Sequence, residues 1–251
     1  MTTIVRLTRA ELRKLATPWT FPITLALSAG LAVISVIVTA ATAGQHGRPA
    51  LGSAASTSQM LNLGAIFCVA MLGLGIIASG GEYRHKTIIP AVLVAPRRGA
   101  LVTAKVIGIS VAGAVLSTLT SGLGLATAAA ELAAHHLHPF PADTGRLFAG
   151  SVIAGTLFGV IGVALGYITR STTAAVLGAI GWVLFVEMAI LHTVAPHLAK
   201  WLVTGAAVAL TTAAAPGGGT LSPDAATAVL ATDTVVLLAV AALLVQRRDV
   251  P

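Results

Sequence analysis

Three imidazoles stand within four residues at His135-His136-Leu137-His138, the densest set of metal-ligand donors in the chain. Neutral imidazole is a common metal ligand. The set lacks company, however. The one cysteine, Cys68, sits elsewhere in an apolar run, carboxylates are few, and the spacing fits no zinc motif. We read the segment as a solvated or interfacial loop and expect no metal. Covalent chemistry is served no better: there is no Ser/His/Asp set and no H-E-x-x-H motif, so no catalytic residue is expected. No G-x-x-x-x-G-K-[ST] loop is present to cradle phosphates, and the closest glycine-rich stretch, Pro216–Thr220, lacks the lysine. The chain is expected to be no enzyme and to carry no cofactor of its own.

Two acids stand in apolar surroundings. Glu187 interrupts Trp182-Val183-Leu184-Phe185-Val186-Glu187-Met188, and Asp233 precedes Thr234-Val235-Val236-Leu237-Leu238. Desolvation resists ionisation in such runs, so a carboxyl there pairs, shares a proton or faces a wet cavity. Both are candidates for a transport path or gate, or for an anchor, with His192 or Asp233 as the partner of Glu187. Ser117 and Thr120 either line the same path or bond their own helix backbone. Gly155, Gly159, Gly162 and Gly166 recur at i, i+4, i+7 and i+11, a small-residue stripe that lets helices approach closely in lipid.

These residues need elements that hold them in a membrane. The chain of 251 residues is 56% hydrophobic and 9% charged, with mean hydropathy +0.93. Soluble domains carry about 25% charged residues, so this supply cannot clothe a water-soluble surface. A membrane-crossing helix needs about 20 apolar residues. Six stretches qualify: 21–43, 60–79, 106–130, 147–168, 173–191 and 225–245. Ala41-Thr42-Ala43 resembles a signal-peptidase site, but the preceding run is longer than a signal core, and the first span is expected to be retained. Trp201–Ala215 is apolar yet too short to span; between Pro196 and Pro216 it reads as a hairpin re-entering from the outer face.

Positive charge orients the spans. Six spans alternate sides, leaving Arg6, Arg9, Arg13, Lys14, Arg84, Lys86, Arg97, Arg98, Lys105, Arg170, Arg247 and Arg248 on one side and Arg48, Arg146 and Lys200 on the other. The positive-inside rule places the first group, and both termini, in the cytoplasm. This topology also accounts for the formal net charge of +7 without nucleic acid, for which no motif is present. Residues 1–16 read as an interfacial helix: Ile4, Val5, Leu12 and Leu15 on one side, Arg6, Arg9 and Arg13 opposite, facing anionic headgroups. Glu11 projects from the apolar face, as a snorkelling carboxylate or toward a protein partner.

The expected fold is an all-α polytopic membrane protein with an amphipathic N-terminal interfacial helix (1–17), then a single transmembrane domain (18–251). That domain has six transmembrane helices and a re-entrant segment between the fifth and sixth (195–224). Its main cytoplasmic loop, 80–99, carries Glu82-Tyr83-Arg84-His85-Lys86-Thr87, a short apolar run Ile88–Val94, then Pro96-Arg97-Arg98-Gly99.

That arrangement resembles the type-2 ABC transporter permeases, the membrane subunits of bacterial exporters. Their second span runs into a Glu-Tyr/Phe-x-x-Gly/Lys-Thr pattern, a short coupling helix and a Pro-x-x-Arg turn follow, and a Lys opens the third span. Here these are Gly81–Thr87, Ala95–Arg98 and Lys105, with Lys86 where the family often has Gly. The resemblance covers nearly the whole chain. It implies that Glu82, Tyr83, Arg84, His85, Lys86, Thr87, Ile88, Pro96, Arg97 and Arg98 contact a separate ATP-binding cassette subunit, which holds the ATP and Mg. It further implies a homodimer of permeases with two ATPases in a bacterial plasma membrane, exporting an amphiphilic or hydrophobic drug, peptide antibiotic or lipid. The alternatives are an ATP-independent secondary transporter, which requires repeats and midplane charges, and a membrane metal-binding protein resting on the histidines.

Overall fold

The computed structural model describes residues 2–16, 19–61, 64–85, 87, 98–137, 143–191, 193, 195–212 and 220–247. Every regular element among them is a helix. They are α1 (Thr2–Ala16), α2 (Thr20–Ala41), α3 (Ala54–Leu61), α4 (Gly64–Arg84), α5 (Arg98–Ala134), α6 (Thr144–Thr169), α7 (Thr172–Gly181) running into a π-helix (Trp182–Leu191), α8 (Pro196–Ala199), α9 (Val203–Thr211) and α10 (Pro223–Arg247). Four are long and apolar enough to cross a membrane: α2, α5 from Gly99, α6 and α10.

Helix α6 is the centre of the bundle. Two thirds of its apolar window is buried, against about a fifth for α2 and α10, and α4, α5 and α10 pack around it. Glycine makes its closest contact possible: a Cβ on Gly162 would lie 2.2 Å from the Leu72 carbonyl oxygen of α4. Without a hydrophobic drive between helices in lipid, such backbone proximity is what dispersion contacts require. The outer helices show the complementary pattern. Ile23, Leu27, Leu31, Ile34 and Val38 line one exposed face of α2, and Ile107, Val111, Val115, Leu119 and Leu123 one face of α5. Water would penalise these stripes, whereas acyl chains accept them.

Local chemistry sets the helix ends. No proline occurs from residue 97 to 138, so α5 continues for 37 residues, about 55 Å at 1.5 Å per residue, well beyond the apolar stretch that announced it. Helix α6 stops where Arg170 adopts a left-handed conformation (φ 54°) and returns its N–H to Gly166 O. Ser171 then caps α7, its Oγ accepting from Ala174 N at 3.3 Å. The stretch 60–79 proves to be shared between α3 and α4, and 173–191 changes from α- to π-helix at Trp182.

Candidate functional site

At the end of the bundle rich in Lys and Arg, α1 lies against α5 and four charges converge. Lys105 Nζ donates to Glu82 Oε1 at 2.9 Å, to Ala78 O at 3.0 Å and to Glu11 Oε2. An ammonium has three protons, and all three are used. Lys14 Nζ closes the group, 2.6 Å from Glu11 Oε1 and 3.1 Å from Glu82 Oε1. The Lys105 side chain is only 4% exposed, so removing either carboxylate would strand a charge out of water. Burial pushes the Glu11 carboxyl up, but the Lys105 and Lys14 ammoniums outweigh it and hold Glu11 below the usual carboxylate range. Burial likewise lowers Lys14, and its bonds to Glu11 and Glu82 more than reverse this, leaving it raised.

Two of the candidate partner contacts also have partners within the chain. Glu82 and Tyr83 belong to the last turn of α4 and point back into the chain. Glu82 is buried on Lys105. Tyr83 meets Tyr167 edge-on with ring centroids 6.3 Å apart, and the Arg170 guanidinium sits 5.5 Å from the Tyr83 ring centre. Of the candidate partner contacts, Arg84, His85 and Thr87 are exposed. Lys86, Ile88, Pro96 and Arg97, with the rest of 88–97, lie outside the described residues, and Arg98 begins α5. Glu11 is no snorkelling residue: its partners are Lys105 and Lys14. It was legible as an anomaly, an acid on an apolar helix face, but its partner lies 94 residues away.

The second site is a cavity of about 550 Å³ within the bundle. Leu72, Phe158, Ile161, Leu165, Val236 and Leu237 supply apolar walls; Trp182, Trp201, Thr204, Glu187 and Asp233 also line it. Glu187 is 3% exposed. Its Oε1 accepts from Trp182 Nε1 at 2.7 Å, and its Oε2 accepts from Thr204 N at 3.1 Å and from Thr204 Oγ1. Trp182 and Glu187 are five residues apart, the hydrogen-bonding interval of the π-helix that carries them.

Thr204 is the second residue of α9, whose own capping position, Leu202, offers no side-chain acceptor. The Glu187 carboxylate therefore caps α9 from another helix, meeting an orphan N–H and the positive end of the helix dipole. Ala206, Ala207, Ala209 and Leu210 of α9 are buried. A Cβ on Gly150 of α6 would lie 2.1 Å from Leu210 O, so α9 is pressed onto the bundle.

The acids lie well along the helices from the ends where these begin. Phe158, on the cavity wall, lies about 21 Å along α6 from Thr144, and Asp233 about 15 Å along α10 from Pro223. After the π-helix, α9 packs against α6 and α10, and its N-terminus meets the Glu187 carboxylate. Asp233 is half-buried and close enough to interact electrostatically with Glu187. Neither acid forms an ion pair among the described residues; the four such pairs all belong to the Lys105 cluster. His192 lies outside the described residues.

The remaining candidates fall elsewhere. Thr120 is buried and hydrogen-bonded to Ser28 of α2 at 3.0 Å between oxygens. The Ser117 hydroxyl is buried with no partner among the described residues, and neither residue lines the cavity. Gly159, Gly162 and Gly166 meet α4, while Gly155 lies beside Gly113 of α5. His135 and His136 are exposed on the turn after α5, His138 is outside the described residues, and no group of three or more possible metal ligands occurs among those described. Trp201 and Thr204 belong to the second site, yet no local pattern marked them, and Lys105 was marked only as the lysine that opens the third span. No protein-family model and no curated protein matches the sequence.

Proposed function

We propose that the chain is the membrane subunit of an ATP-driven exporter whose ATPase is a separate polypeptide. It would sit in a bacterial plasma membrane with six spans, both termini cytoplasmic and α9 as a re-entrant helix from the outer face, and work as a homodimer with two ATPases. The observation that carries this reading is the Lys105 cluster. It ties α1, the end of α4 and the start of α5 into one unit directly beside the segment resembling the coupling loop of type-2 ABC permeases. A push on that loop would thus move three elements together, while the exposed Arg84, His85 and Thr87 offer polar contacts to a soluble partner. The test is a search of the neighbouring reading frames for an ATP-binding cassette protein and co-purification of that protein with the chain, followed by transport in proteoliposomes. The reading expects a stable complex and transport that requires ATP.

The cavity favours a second reading, an ATP-independent secondary transporter. Carboxylates at mid-bundle and a helix that begins inside the membrane are features such transporters use. Transport driven by an ion gradient with no ATPase bound would establish it in place of the first.

A further inference from the structure

The two carboxylates of the cavity are unequal. Glu187 is fully engaged by Trp182 and Thr204. Asp233 has no hydrogen bond or ion pair among the described residues, yet it shares an otherwise apolar cavity with a second acid. Among the described residues, no lysine, arginine or histidine lines that cavity. An unbalanced negative charge at membrane depth calls for a positive one.

The size of the space selects the form of that charge. A proton or a bare metal ion needs almost no volume, whereas about 550 Å³ falls within the range of pockets for drug-sized ligands. The walls are apolar, so a strongly hydrated ion gains nothing from them. Trp182 and Trp201 each remain 51% exposed beside the cavity. The Trp182 N–H is spent on Glu187, which fixes the ring beside the cavity. Indole is the best aromatic partner for an organic cation.

We infer that this cavity binds a hydrophobic organic cation, an ammonium or phosphonium centre carrying apolar groups, with Asp233 as its counter-charge and Trp182 and Trp201 as its aromatic contacts. That such a compound is the cargo rests on the exporter reading; that it binds does not, since the cavity lies within one chain and needs no ATPase. Glu187 is a positioning residue here, holding Trp182 and the start of α9.

Equilibrium binding of radiolabelled tetraphenylphosphonium to the purified full chain in detergent tests this, with tetraphenylborate as a probe of the same shape and opposite charge. The parent protein should bind the phosphonium at least tenfold more tightly than the borate, with quenching of tryptophan fluorescence. Asp233→Asn should lose at least tenfold in phosphonium affinity, Asp233→Glu should recover most of it, and Trp182→Phe should weaken binding and reduce the quenching. Equal binding of the two probes by the parent protein overturns the proposal without any variant. So does unchanged phosphonium affinity in a folded Asp233→Asn protein. Phosphonium binding by a chain that captures no ATPase would keep this site and remove the exporter reading.

Discussion

Two regions of this molecule treat charge out of bulk water in opposite ways. At the basic end two carboxylates meet two ammoniums, and every proton of the innermost ammonium has an acceptor. In the cavity two carboxylates share an apolar space with no cation of the chain's own among the described residues. A cluster that balances itself has nothing to offer a ligand and serves to hold elements together. A cluster left unbalanced is a place for something that arrives and leaves. The difference separates a mechanical joint from a binding site, although both read in the sequence as sparse charges among apolar residues.

The largest effect should come from breaking the joint. Lys105→Met leaves Glu11 and Glu82 without their buried partner, and breaking one side of a buried pair costs about 3–5 kcal/mol. Thermal unfolding in detergent should show a large loss of stability, and proteolysis should reach α1. Replacing Lys105, Glu11 and Glu82 together by Met, Leu and Leu should restore much of that stability, because apolar packing commonly substitutes for a buried ionic group. A triple variant as unstable as the single one would mean that α1 is held by something other than these charges.

Glu187 comes next. Glu187→Leu leaves the Thr204 N–H and hydroxyl and the Trp182 N–H without their acceptor, at about 1–3 kcal/mol for each group left unsatisfied. Glu187→Gln keeps an acceptor for α9 and should lose clearly less. Hydrogen exchange at residues 203–206 distinguishes capping from bulk destabilisation, since the Leu variant should raise exchange there first. Equal exchange in the two variants would remove the capping role.

A smaller effect is expected from pH. Glu11 is held below its ordinary value of 4.5, so its stabilising contribution is complete above that pH and fades as pH falls through the lowered value. Lys14 is raised above its ordinary value of 10.5, so its contribution is complete below that pH and fades only as pH rises through the raised value. The joint should therefore hold across the neutral range and loosen in acid below about 4.5. Thermal stability followed from pH 7 downward should show this fall in the parent and a flatter profile in the triple apolar variant.

The orientation behind the comparison is testable without a stability change. Cys68, the only cysteine, is buried, so the chain offers little labelling background. His136→Cys should react with an impermeant thiol reagent from outside the cell and Arg84→Cys only from inside. The reverse pattern would put the joint on the wrong side of the membrane for an ATPase.

How far these sites were legible follows from the range of the contacts that make them. The amphipathic period of residues 1–16 became α1, and 21–43, 147–168 and 225–245 became α2, α6 and α10 with ends displaced by a few residues, because periodicity and hydropathy are local. The joint is not local: Lys105 and Glu11 stand 94 residues apart, Lys105 and Glu82 stand 23 apart, and their convergence depends on how α1 crosses α5. Glu187 was identifiable as a buried acid, but its role was not. The helix it caps is nine residues long, about 14 Å, and nothing in Leu202-Val203-Thr204 marks a start. The π-helix likewise has no composition signal in Trp182–Leu191; the Glu187–Trp182 bond across five residues is visible only in three dimensions.

The central claim is that the Lys105 joint passes motion from the loop to the membrane helices. The most direct test is the number of molecules transported per ATP hydrolysed, in proteoliposomes holding the chain and the ATPase that co-purifies with it, for the parent and the triple apolar variant. The variant should keep its fold and its ATPase partner while transport per ATP falls at least tenfold. Unchanged coupling in the triple variant would contradict the account.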